Sequence, residues 1–222
     1  MKIKAVFFDQ DETLISPATG LYEEYILQRA LDFGRVKGIS DIEQAKKQAY
    51  KYKNDECEGS SIILYDKIGV GRDIWYDRIN QIEVEKYLEP DLRLKQFVKS
   101  LRDEDKKLFL LTNSPTLQTK KILRAVGLTG DEFEKLFTWV LGETPPKPTK
   151  RPFVEVMEKY GIVAKECVMV GNEVGIDLAP AHKLGIWTIG INLDAEKDEN
   201  VDFVAENLSQ VKQIINQIEI NE

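Results

Sequence analysis

Asp9-Gln10-Asp11-Glu12-Thr13 sets two carboxylates two positions apart, directly after the apolar run Ala5–Phe8. In an extended chain residues i and i+2 face the same way, so Asp9 and Asp11 point into one crevice. Paired acids repel unless a cation sits between them, and such hard oxygen ligands suit Mg²⁺. A solvated acidic turn is the alternative. A calcium-binding EF-hand loop is excluded, because Leu14 and Gly20 stand where it needs a glycine and an acid. Three further stretches carry polar groups of the same kind. Thr112-Asn113-Ser114 follows the run ending at Leu111, and its hydroxyls, amide and turn N–H groups suit a phosphate or a helix cap. Thr144-Pro145-Pro146-Lys147-Pro148 sets a lysine in a prolyl-stiffened loop, able to neutralise a carboxylate and a phosphate together, or simply solvated. Gly171-Asn172-Glu173-Val174-Gly175-Ile176-Asp177 adds three oxygen-bearing side chains after a further apolar run.

Groups so far apart in sequence need a scaffold that gathers them. The short apolar runs Ala5–Phe8, Leu108–Leu111, Trp139–Leu141, Val168–Val170 and Ile186–Ile189 read as buried parallel strands. Between and after them lie helical patterns: Leu94, Phe97, Val98 and Leu101; Phe153, Val156, Met157 and Tyr160; Leu208, Val211, Ile215 and Ile218. The alternation predicts an α/β fold, a Rossmann-like parallel sheet flanked by helices, with its site beyond the strands' carboxyl ends. Residues 16–88 break the rhythm with helix-like stretches such as Leu21–Phe33, Ser61–Leu64 being one candidate strand. They are expected to form a mainly helical insertion after the first strand, with 1–15 and 89–222 as the core and Pro90 opening the next helix.

Composition narrows the chemistry further. With one histidine, His182, and two cysteines, Cys57 and Cys167, the chain cannot build a His-rich metal site or a zinc ribbon. His182 reads as a surface helix residue and the cysteines as buried inert thiols. The net charge of −7 argues against non-specific nucleic-acid or anionic-membrane binding. The apolar run at the N-terminus is too short for a signal peptide or a span, and no later run approaches the length of one, so a cytoplasmic protein is expected.

The four polar stretches in this order resemble the haloacid dehalogenase superfamily of phosphatases: an apolar strand into Asp-x-Asp-x-Thr, a strand ending in Thr or Ser, a Lys-Pro loop, and a strand into Gly-Asp-x(4)-Asp. Phe153, six residues after Lys147, and the closing Val201-Asp202-Phe203-Val204…Leu208 also resemble that family. The spacing around Tyr65–Leu128 is somewhat similar to pyrimidine 5′-nucleotidase relatives. The resemblance implies that residues 16–88 are a helical cap and that Asp9 is a nucleophile forming an aspartyl-phosphate. Asp11 would then act as acid and base, and Thr112, Asn113 and Lys147 would hold the phosphoryl group. Mg²⁺ would rest on Asp9, Asp11, Asn172 and Asp177, with Glu173 as a further ligand. Dehalogenating members lack the second aspartate, so Asp11 favours phosphoryl transfer.

Asn172 departs from the pattern, since the family's usual residue there is aspartate; the amide removes a negative charge and weakens metal binding. The expectation is a Mg²⁺-dependent phosphatase acting on a small phosphorylated metabolite: a nucleoside monophosphate, phosphoglycolate or a sugar phosphate. A phosphomutase of the same family, or a catalytically weak binding or regulatory protein on account of Asn172, are the alternatives. Monomer and homodimer are both open.

Overall fold

The computed structural model describes residues 2–139, 147–193 and 198–221. Among these residues six parallel strands form one sheet: β1 (Ala5–Phe8), β2 (Lys107–Pro115), β3 (Lys135–Trp139), β4 (Cys167–Gly171), β5 (Trp187–Ile191) and β6 (Phe203–Ala205), in the order β3-β2-β1-β4-β5-β6. The helices are α1 (Leu21–Lys37), α2 (Ile42–Glu56), α3 (Ser61–Lys67), α4 (Arg72–Asn80), α5 (Leu92–Arg102), α6 (Thr116–Ala125), α7 (Arg151–Tyr160), α8 (Ala179–His182) and α9 (Leu208–Asn221). This is the expected Rossmann-like α/β architecture.

The sequence of β1 explains why it lies at the centre. Its alternate residues enter different cores: Val6 and Phe8 pack with α5, α6 and α9, whereas Ala5 and Phe7 pack with α7 and α8. With both faces covered, no polar position is needed, and the strand reads as an unbroken apolar run. Phe7 lies 5.0 Å from the ring of Phe109 and 4.9 Å from that of Phe153. Register then levels the strand ends. Phe8 pairs with Leu110 on one side and Val170 on the other, so the segments leaving β1, β2 and β4 emerge at one edge. Strand order reverses beside β1, where parallel sheets open a crevice.

Between β1 and α5 the chain forms helices α1–α4. Ser61–Leu64 is therefore not a strand. Ser60 accepts from the N–H of Ile63 and starts α3, which buries Ile62, Leu64 and Tyr65. A short apolar run satisfies a buried strand or a buried helix equally, and here the cap and the packing select the helix. Helix α5 starts at Leu92, capped by the Asp91 carboxylate, so Pro90 precedes it rather than opening it. Strand β3 begins earlier than expected, at Lys135; of the expected Trp139–Leu141, residues 140 and 141 lie outside the described residues.

Among the described residues no helix is long and apolar enough to cross a membrane. Both cysteines are buried and free, and burial pushes the Cys167 thiol up to about 12. His182 lies on α8, its Nε2 3.7 Å from Asp202 and away from the crevice.

Candidate active site

Where β1 ends, the N–H of Asp9 donates to the carbonyl of Val170 at 2.9 Å, locking the first loop to β4. Glu12 turns the chain with φ 58°, and the N–H of Ile15 returns to the carbonyl of Gln10. Asp9 and Asp11 thereby line one cavity of about 100 Å³, as their spacing requires. The Asp11 carboxylate accepts from Ser114 Oγ at 3.2 Å and from Gln10 Nε2 at 3.1 Å.

Lys147 stands at the centre of the cluster. Its Nζ donates to Asp9 Oδ1 at 2.5 Å and to Asp177 Oδ1 at 2.7 Å, and all three side chains are buried. Asn113 fixes the lysine's backbone: its Oδ1 accepts from the Lys147 N–H at 2.7 Å, and its Nδ2 donates to the Lys147 carbonyl at 3.4 Å. Neither Asn113 nor Ser114 caps α6, which starts without a side-chain cap. Thr112 lies in the same cavity, and its hydroxyl accepts from the N–H of Ser114. The remainder of the lysine loop, Thr144-Pro145-Pro146, lies outside the described residues.

The fourth stretch closes the ring. Asp177, on a π-helical turn over Val174–Leu178, comes so near β4 that a Cβ on Gly171 would stand 2.5 Å from its own Cβ. Gly171 is required for that approach. Asn172 accepts from the Thr13 hydroxyl and donates to Glu12 Oε2, both at 3.3 Å, tying the first loop to the fourth.

Charge in this cluster is unbalanced. Burial works against the ammonium of Lys147, but Asp177 and Asp9 outweigh it and hold the lysine protonated. Burial raises the Asp9 carboxyl well above its ordinary range; Lys147 opposes the rise, while Asp177 and Asp11 add to it. Burial raises Asp11 and Glu12 too. Lys147, Lys53 and Arg29 among Asp9, Asp11, Glu12, Glu173 and Asp177 still leave a negative excess for a proton or a cation to relieve. Among the described residues no three His, Cys, Asp or Glu side chains converge as a ready metal cage. The oxygen-bearing side chains lining the cavity include the carboxylates of Asp9 and Asp177 and the amide of Asn172. One or two carboxylates with neutral oxygens and water is how Mg²⁺ is commonly held, so the set fits that ion.

All the residues singled out in the sequence, Asp9, Asp11, Thr112, Asn113, Lys147, Asn172, Glu173 and Asp177, line this cavity. So do Tyr25, Arg29, Lys53, Ser61 and Trp75, which come from α1–α4. Sequence reasoning passed over their individual roles because no local spacing links them to the acids.

Carboxylates gathered around the buried Lys147, at the carboxyl ends of a parallel sheet, make this cavity the candidate active site of a hydrolase. The chain belongs to the haloacid dehalogenase-like hydrolases, whose family model matches residues 3–185. No curated protein matches it. Among solved structures it is similar to a predicted phosphatase from Clostridium acetobutylicum (TM-score 0.70, 19% identity, covering 98% of this chain and 100% of that one). It is also similar to an HAD phosphatase from Thermococcus onnurineus (TM-score 0.66, 24% identity, 96% and 97% covered). A third is the HAD-hydrolase YfnB from Bacillus subtilis, bound to magnesium (TM-score 0.57, 16% identity, 97% and 100% covered). At these identities the likeness is one of fold.

Proposed function

We propose that the chain is a Mg²⁺-dependent phosphatase that hydrolyses a small phosphorylated metabolite through an aspartyl-phosphate. The observation that carries this reading is the bridge of Lys147 between Asp9 and Asp177 in the cavity that also holds Asp11 and Thr112. Lys147 engages Oδ1 of Asp9, and among the described residues Oδ2 accepts no hydrogen bond. That oxygen attacks phosphorus in line, and the P–O bond to the leaving group breaks. Asp11 gives its proton to the departing alkoxide. The same carboxylate then takes a proton from water, whose oxygen attacks phosphorus to release orthophosphate and restore Asp9. Thr112 and Lys147 hold the phosphoryl oxygens, and Asn113 keeps Lys147 in place through its backbone. A divalent cation, when bound, offsets the repulsion between the Asp9 carboxylate and a phosphate dianion.

Helices α1–α4, residues 16–88 with their flanks, are read as a cap over this site, shielding it from bulk water. The cavity of about 100 Å³ is below the roughly 300–1,000 Å³ of pockets for drug-sized ligands. That favours phosphoglycolate or a short sugar phosphate over a nucleoside monophosphate.

Phosphate release from a panel of esters, with Mg²⁺ and with EDTA, tests the reading. Turnover with Mg²⁺ and its loss in EDTA are expected. Free orthophosphate marks a phosphatase; conversion of one phosphate ester into another without it marks a phosphomutase. Inactivity of metal-loaded protein across the panel would favour a binding or regulatory role.

Asn172→Asp supplies the full charge that the amide lacks. The half-saturating Mg²⁺ concentration is expected to fall by about tenfold. The metal-free protein loses stability, because the new carboxylate faces Glu12 where the amide now donates. An unchanged or weaker Mg²⁺ response would remove residue 172 from the ligand set.

A further inference from the structure

Arg29 of α1 is 2% exposed, and its charge lacks a counterpart. Its guanidinium donates to Ser61 Oγ at 2.7 Å, and among the described residues it makes no ion pair. Asp32, three residues along the same helix, is already committed: it accepts from the Tyr65 hydroxyl at 2.9 Å and from Arg78, and pairs with Arg35. A guanidinium cannot shed its proton, so Arg29 keeps its full charge on the wall of the cavity, with Ser61 Oγ as its one hydrogen-bond acceptor among the described residues. Such an arrangement is costly and persists where a partner arrives from elsewhere. Arg29 and Ser61 line the same cavity as Asp9 and Asp11. A second buried cation, Lys53 of α2, lines it too, meeting Glu173 at 3.3 Å.

The transferring phosphoryl group is assigned above to Lys147 and Thr112, in the loops of the sheet, whereas Arg29 and Ser61 come from α1 and α3. We propose that Arg29 and Ser61 bind a second anionic group, at the far end of the substrate. The reading rests on the phosphatase assignment and narrows it to short phosphate esters that carry a carboxylate or a second phosphate. The planar fork of arginine matches either group by paired N–H···O bonds. The small cavity limits the spacer between the two ends to a few carbons.

Three esters built on the same two-carbon chain separate the possibilities: 2-phosphoglycolate, with a carboxylate tail; ethylene glycol bisphosphate, with a longer phosphate tail; and 2-hydroxyethyl phosphate, with a neutral one. In wild type, kcat/KM is expected to favour at least one anionic tail over the neutral tail by roughly 10- to 100-fold, and the better anion identifies the source. Arg29→Met is expected to bring that ratio to about one. Because it removes an unmatched buried charge and keeps side-chain length, it is not expected to lower Tm. A purely structural arginine would instead lower Tm and leave the ratio intact. If Arg29→Met does not fold, Arg29→Lys keeps the charge without the fork and should lose most of the preference. Equal kcat/KM for all three tails in wild type, or an unchanged ratio in the variants, overturns the proposal. If no ester is turned over, the phosphatase reading fails separately. The tail preference is then read from the Tm shift that each ester gives, and equal shifts overturn the anion site.

Discussion

Asp9→Asn is expected to reduce phosphate release by roughly 10⁴-fold or more, a barrier increase above about 5 kcal/mol. The amide is nearly isosteric but cannot act as the nucleophile, so the loss falls on the chemical step and appears in kcat. Folding should survive, because Lys147 keeps Asp177 at 2.7 Å and one of the crowded acids has been neutralised. Steady-state release of phosphate from p-nitrophenyl phosphate in Mg²⁺, alongside thermal unfolding, measures both. Activity within tenfold of wild type in a folded variant would place the nucleophile elsewhere and dismantle the mechanism above.

The second large effect is on stability as well as rate. Lys147→Met leaves Asp9 and Asp177 buried and facing each other without their shared ammonium. Removing one partner of a buried ion pair costs about 3–5 kcal/mol. For a chain of this size that lowers Tm by roughly 10 °C. The drop should be deepest in EDTA and smaller at saturating Mg²⁺, because a cation that binds only the folded state stabilises it. Loss of the phosphoryl-binding charge lowers kcat by about 10²–10³-fold in addition. A Tm in EDTA equal to that of wild type would mean that the ion pairs contribute nothing to folding. A drop unrelieved by Mg²⁺ would speak against a metal bound among these carboxylates.

Both effects depend on residues that the sequence made visible, and the reason is local. Asp9 and Asp11 follow an apolar strand at a spacing of two, and a strand dictates where such residues point. Lys147 and Asp177 were legible by their place after later strands, since a level parallel sheet delivers its loops to one edge. The register of Phe8 with Leu110 and Val170 is what makes the edge level. The role of Asn113 was less legible. The sequence marked it as a phosphate contact or a helix cap, whereas its side chain clamps the backbone of Lys147 across 34 positions of chain.

The single histidine and the two cysteines excluded His-rich and zinc-ribbon metal sites, and the order of the polar motifs pointed to the family and the sheet. Those inferences are sound because strand alternation and residue type act over two to five positions. Tertiary packing decided the rest. The run at Ser61–Leu64 became a helix because apolar burial has no direction of its own, and the Ser60 cap with Tyr65 against Trp75 supplied one. Arg29 likewise gained its place only when α1 and α3 met, bringing it to Ser61 in a cavity whose acids come from the loops of the sheet. No periodicity in the chain records that meeting, because the contact spans 32 residues and depends on how whole helices pack.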